Sequence, residues 1–406
     1  MNARTAADTP LRAPHTALLL TGGGARAAYQ VGVLQAIAEL QDRRCPGARP
    51  SPFDIIVGTS AGAINAASIA CVADDFQSGV RRLATTWGRF HAAQVYRTDF
   101  LHTLGSALHW SAFGLLGCFG PLTKLLQPHS LLDNGPLGAL LQEELPLARL
   151  PDMMEQGHLR ALAVTTSSYT SGEHVTFYTA TNGIEDWQRI RRRAVRMPIA
   201  VPHLMASSAI PLLFPAARVI SPGGVGYYGD GSMRQMAPLA PVVHLGAQRI
   251  LVVGVAQALE PTDAPAQEAP VYPSFAQVAN HALSSIFLDT LAADAERLHR
   301  INHTLELIAP EVRAASHLRK VDLLTVMPSQ RIDQIAARHT QRLPWTMRML
   351  MRMLGMRGGS ASTRSSALAS YLLFEAEFTR ELIRLGHADG MAQQAAIERF
   401  FGWTGN

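Results

Sequence analysis

Cysteine is nearly absent. The three in 406 residues, Cys45, Cys71 and Cys118, are odd in number and fall at no metal-ligand spacing. That excludes a disulfide framework and a zinc site, and fits a reducing, cytoplasmic compartment. Charge is sparse as well, at 17% of residues with a net +5. Apolar runs such as "TALLLT" and "RILVVGV" fall well short of the roughly 20 residues that cross a bilayer, so no span is expected. "ALLL" passes straight into a glycine turn without a small-residue cleavage pattern, which predicts a strand rather than a secretory signal. A loose arm over residues 1–15 precedes it. Aromatic residues make up 7% of the chain, and the one dense basic run is "RIRRRAVR", residues 189–196. No aromatic platform or recognised motif accompanies it, so a solvated helix face is expected there and no nucleic-acid partner.

What the chain does have is apolar mass, 48% of its residues, in alternating strand-like and helix-like segments, which predicts an α/β fold with a large core. In "LLLTGGGARAAYQ", residues 18–30, leucines end in Gly22, Gly23 and Gly24, and an amphipathic helix follows from about Ala27 to Leu40. Glycines between a strand and a helix N-terminus let backbone amides face an anion. Gly22 to Ala27 satisfies the dinucleotide pattern, but that fingerprint needs an acidic residue at the end of the next strand. Asp42 has the spacing yet lies in "LQDRRCPG" at the end of the first helix. No G-x-x-x-x-G-K-[ST] sequence occurs either. The anion left is an oxyanion made locally, held by amides of the turn Gly22, Gly23, Gly24, Ala25, Arg26 and Ala27. Neither cofactor nor metal is expected. Arg26 itself either anchors the loop or binds a lipid phosphate.

A second strand, "FDIIVG", feeds "TSAGAINAASIA". Gly58-Thr59-Ser60-Ala61-Gly62 is G-x-S-x-G between strand and helix, the context in which a serine hydroxyl projects from a strained turn. The plain alternative is a small-residue turn that packs a helix on the sheet. Further on, "RVISPGGVGYYGDGSMRQMAPLAPVV" reads as a hairpin, an Asp230-Gly231 turn and a helix from about Pro238. A carboxylate within reach of a serine can take its proton as the new bond forms.

Together, "TGGGARAAYQVGVLQAI", "VGTSAGAINA", "ASSAIPLLFPA" and "YYGDGSMRQMAPL" resemble the patatin-like phospholipase family over roughly residues 16–255. The resemblance implies a doubly wound, mostly parallel sheet flanked by helices and hydrolysis of a lipid acyl ester without a cofactor. It also implies a Ser-Asp dyad of Ser60 and Asp230, an oxyanion loop from Gly22 to Ala27, and an Asp-Gly motif continued by Gly231 and Ser232. Ala27 and Ser232 stand where the family more often has glycine, and glycine or alanine. Two alternatives stay open: a triad esterase with His244, His281, His299 or His303 as base, or a catalytically silent lipid-surface protein on the same fold.

The expected organisation is the arm, a catalytic α/β domain over 16–255, a linker at 256–272 and a mainly helical region at 273–406. Two segments point toward lipid. Residues Phe90–Gln127 are apolar and charge-poor, suited either to capping an acyl channel or to helices packed on the sheet. "LPWTMRMLMRMLGMR", Leu343–Arg357, sets Arg348 and Arg352 against methionines and Leu350, a pattern that suits either a helix in peripheral contact with a membrane surface or one buried on the body of the protein. Head group, chain length and oligomeric state are not legible.

Overall fold

The structure is a computed structural model that describes residues 14–97, 130–256, 275–315, 318–353 and 366–403. The arm up to residue 13, nearly all of the 256–272 linker, most of Phe90–Gln127 and Cys118 lie outside the described residues.

One sheet organises the chain. Its strands are β1 (Thr16–Leu20), β2 (Ile55–Thr59), β3 (Ala161–Ser168), β4 (His174–Ala180), β5 (Gln188–Arg189), β6 (Arg192–Arg196), β7 (Ala217–Ser221), β8 (Gly224–Asp230), β9 (Arg249–Val253) and β10 (Asp322–Val326). They lie in the order β10-β9-β1-β2-β3-β4-β6-β5, with β8 paired to β3 and β7 to β8. From β10 through β3 every pairing is parallel. Every residue of β1, β2 and β3 is buried, as central parallel strands are when helices cover both faces. The strand alternation divides the core: Leu18, Leu20, Ile56 and Leu162 face one cluster, while Ala17, Leu19, Ile55, Val57 and Ala161 face the other.

The helices are α1 (Ala28–Arg44), α2 (Ala61–Ala70), α3 (Phe76–Trp87), α4 (Gly135–Glu144), α5 (Leu150–Glu155), α6 (Val201–Ser207) and α7 (Ala240–His244). After β9 come α8 (Phe275–Leu307), α9 (Pro310–Ala315), α10 (Ile332–His339), α11 (Trp345–Met353), α12 (Ser366–Leu372), α13 (Ala376–Ala392) and α14 (Gln394–Phe401). The doubly wound, mostly parallel architecture with a largely helical C-terminal region is the one expected.

Two local expectations change. Residues 189–196 form no helix: β6 pairs in parallel with β4, and β5 folds back antiparallel on it. Arg191, with φ +55°, makes the turn, and Ala194 points into the core. Two of the five arginines hold neighbouring backbone or side chains, Arg193 pairing with Glu173 at 3.2 Å and Arg196 donating to the Ala180 carbonyl at 2.7 Å, while Arg189 and Arg191 are exposed. The helix α1 is buried around most of its circumference rather than amphipathic, because α13 packs along it and Tyr29 donates to Asp389 Oδ2 at 3.0 Å.

Candidate active site

Strand β3 acts as a ruler for two chain ends. The last residue of β2, Thr59, pairs with Thr165. The last residue of β8, Asp230, pairs with Thr166, the next position along. Thr166 also pairs with Val175 of β4, so β8 takes the same edge of β3 that β2 has just left. Ser60, one residue beyond β2, is thereby delivered beside Asp230.

Ser60 has φ +56° and ψ −132°. A non-glycine residue at positive φ costs about 1–3 kcal/mol and persists only where its surroundings hold it. Here the Ser60 N–H donates to Ser207 Oγ at 2.8 Å, and Ser207 in turn donates to the Thr165 carbonyl at 2.7 Å. The flanking glycines are required by space: a Cβ on Gly58 would lie 2.4 Å from Ala63 Cα, and one on Gly62 would lie 2.5 Å from the Leu20 carbonyl oxygen. Thr59 Oγ1 contacts Thr165 Oγ1 at 2.7 Å and accepts from Gln235 Nε2 at 3.0 Å. Ser60 caps α2, so the positive end of that helix meets the hydroxyl.

Asp230 is fully buried. Its Oδ1 accepts from the Ser232 N–H at 2.9 Å, and its own N–H donates to the Ala209 carbonyl at 3.0 Å. Oδ2 is buried and makes no hydrogen bond of full geometry, although the Ser60 hydroxyl is near enough to draw the carboxyl's pKa down. Burial dominates and pushes the carboxyl up to about 6, against the opposing pull of Ser60 and Ser232. Gly231 is seated against the Thr165 carbonyl.

The glycine turn has a different support. Gly24, at φ +54°, faces the Tyr371 carbonyl oxygen, 2.3 Å from where a Cβ would stand. The first bond of the short helical turn runs from the Arg26 N–H to the Gly23 carbonyl at 3.1 Å, so the amides of Gly23 and Gly24 are not consumed by it. Arg26 is 5% exposed. Its Nε donates to Ser370 Oγ at 2.6 Å, and its guanidinium lies 4.3 Å from the Tyr371 ring centroid, which is the geometry of an anchor.

Gly24, Ser60 and Ala61 share one cavity, about 790 Å³ of empty space including its solvent-open part. Its walls are chiefly apolar, with Trp87, Leu141 and Phe374 among them. Gly22, Gly23, Ala25, Arg26 and Ala27 back the turn without lining the cavity. No histidine lines it among the described residues. Ser207, Ser370 and Tyr371 carried no role in the sequence reading. "ASSAIPLLFPA" marks the neighbourhood of Ser207, and "SYLLFEAEFTRELIRLGHADG", similar to the tail of bacterial members of the family, opens on Ser370 and Tyr371; neither stretch shows what these side chains hold. No group of three or more metal-ligating side chains occurs among the described residues, and none of their helices is long and apolar enough to cross a membrane.

The patatin-like phospholipase family model matches residues 18–243. The chain belongs to this family. Membership supports lipid acyl hydrolysis as its chemistry. Two solved structures align over most of the chain. VipD from Legionella pneumophila is 13% identical, with 91% of this chain and 67% of that one covered and a TM-score of 0.30. The complex of full-length SpcU with full-length ExoU from the type III secretion system of Pseudomonas aeruginosa aligns at 16% identity, 88% and 76% coverage and a TM-score of 0.24. No curated protein matches.

Proposed function

We propose that this patatin-like protein hydrolyses the carboxylic ester of a lipid through Ser60 and Asp230, with amides of the glycine turn holding the oxyanion. The observation that carries the reading is the adjacent register of Thr59 and Asp230 on β3, which sets a strained serine against a buried carboxylate. Ser60 Oγ attacks the ester carbonyl while Asp230 takes the hydroxyl proton. The negative oxygen develops toward Gly24, and the proton passes to the leaving alkoxide. Water then repeats the sequence on the acyl-serine, with Asp230 again as base. A carboxylate raised toward neutrality is a stronger base than a solvated one, and it is lost as pH falls through about 6.

A histidine triad has less support. His244 stacks on Trp187 at 5.0 Å, and burial holds it, His174 and His203 at a pKa of about 4. The test is labelling by a fluorophosphonate together with ester hydrolysis. Wild type should label and Ser60→Ala should not. Asp230→Asn should fall to background hydrolysis. His244→Ala, His281→Ala, His299→Ala and His303→Ala should each keep at least about a tenth of wild-type kcat/KM, a loss under roughly 1.4 kcal/mol. One folded histidine variant as inactive as Ser60→Ala would overturn the dyad.

Peripheral contact with a lipid surface through 343–357 belongs to the same proposal. Leu343 and Met347 are buried against the body, while Trp345, Arg348 and Met349 are exposed; the side chains beyond Met349 lie outside the described residues. Arg348→Glu should reduce sedimentation with anionic vesicles without slowing hydrolysis of a short soluble ester. Unchanged sedimentation would remove the segment from the proposal.

A further inference from the structure

The walls of the cavity run in step. Along α2 they are Ala61, Ile64 and Ser68, one helical turn apart, starting beside Ser60. Trp87 Nε1 donates to Asn65 Oδ1 at 2.8 Å, which sets the C-terminal end of α3 beside the first turns of α2. From there α3 runs back through Leu83 to Arg82, and α4 runs from Leu137 through Leu141 to Glu144. Gly79, a turn further back on α3, faces Ile69 and Val72 at the other end of α2, and on that side Arg82 Nη2 donates to the Glu144 carbonyl at 2.7 Å and pairs with its carboxylate at 3.3 Å. The polar groups are therefore at the two ends. Between them the Thr86 hydroxyl donates to the Arg82 carbonyl at 3.2 Å and leaves the lumen apolar.

From Ser60 to Ser68 is eight residues, about 12 Å along the axis of α2. An extended chain advances about 1.2 Å per bond, since three backbone bonds span about 3.3–3.6 Å, so about ten carbons fill that distance. Resting on the acyl-hydrolase reading above, we propose that this cavity is a ruler for a single unbranched acyl chain of about ten carbons. The carboxyl carbon sits at Ser60, and the methyl end stops at the Arg82–Glu144 ion pair. Each methylene added inside the channel leaves water for hydrocarbon, worth about fourfold in kcat/KM. A methylene beyond the ion pair re-enters water and adds nothing. Arg82 and Glu144 are 50% and 38% exposed, so the stop lies at the surface and can be removed without emptying the core.

The experiment compares p-nitrophenyl esters from acetyl to palmitoyl in one detergent, for wild type, Arg82→Ala and Ser68→Trp. Wild-type kcat/KM should climb to about decanoyl and then level or fall. Arg82→Ala should raise the palmitoyl-to-decanoyl ratio at least about fivefold, and Ser68→Trp should move the break to shorter chains. Acetyl hydrolysis should stay within about twofold in both. A parallel measurement needs no turnover: calorimetric binding of free fatty acids to Ser60→Ala should strengthen up to decanoate and then level. Flat binding across chain lengths, or variants that change acetyl and palmitoyl alike, would overturn the ruler. Length-dependent binding without hydrolysis of any ester would instead overturn the acyl-hydrolase reading and leave the ruler standing.

Discussion

The chain makes the same strand–turn–helix unit twice, and the two copies are supported in opposite ways. The elbow at Ser60 is propped from within the sheet: Ser207 bridges its N–H to the Thr165 carbonyl of β3, and α2 presses on the end of β1 at Gly62. The glycine turn is propped from the far end of the chain. Arg26 reaches Ser370, 344 residues away, and Gly24 abuts the Tyr371 carbonyl. The geometry of the proposed nucleophile is thus a consequence of strand register, whereas the geometry of the candidate oxyanion turn depends on how the C-terminal helices pack. Ser370 and Tyr371, far along the chain, thus brace the turn that brings Gly24 to the cavity.

That contrast breaks most sharply at Gly24. Gly24→Ala places a methyl carbon against the Tyr371 carbonyl in a backbone conformation that alanine rarely adopts. Losing an oxyanion donor typically costs about 100–1000-fold in kcat, so ester hydrolysis should fall by that order. Although Asn65 of α2 donates to the Ala27 carbonyl, Asp230 itself is held by Thr166, Ser232 and Ala209, so a pH midpoint set by its carboxyl should stay near 6. A pH–rate profile of the residual activity checks both halves; a shifted midpoint would mean the two turns are coupled.

The elbow side is sharpened by asking what Asp230 costs. Burial raises its pKa from 3.8 to about 6, so between those pH values the folded state binds more protons than the unfolded state. Stability therefore rises as pH falls through that window, and the charge is destabilising above it. The shift of about two units corresponds to about 3 kcal/mol. Asp230→Asn keeps an acceptor for the Ser232 N–H and removes the charge. It should raise Tm at pH 8 and lose that advantage below about pH 4, while activity stays at background. Equal Tm differences at both pH values would show that the buried charge is not the cause.

The units that were legible in the sequence are those whose physics is local. Gly22–Gly24 and Gly58–Gly62 could be read because a tight turn writes its need for missing side chains into adjacent positions. Asp230 could be placed because an Asp-Gly turn follows a recognisable hairpin. Ser207, Ser370 and Tyr371 could not, since a serine or tyrosine in a helix looks the same whether it faces solvent or holds another turn's backbone. The arginines of 189–196 misled for a related reason: helical spacing covers a surface, but Ala194 alternating inward and the pairing with β4 decided for a strand. On α1 a second side is covered because α13 packs against Gly32, Val33 and Ala36, which no window of adjacent residues reveals.

By itself the sequence determined an α/β core, because strand-like runs such as Ala17–Leu20 and Ile55–Val57 alternate with helix-like ones, while the parallel order of its strands was what the family resemblance implied. It also determined where the chain makes its sharp turns. Only the tertiary structure decided that Ser60 and Asp230 meet, because their meeting depends on β2 and β8 ending one register step apart on β3. It alone decided that a helix face, an ion pair and a leucine-lined groove join into one channel. Register and packing are set by partners distant in the chain, and such partners leave no trace in the local order of residues.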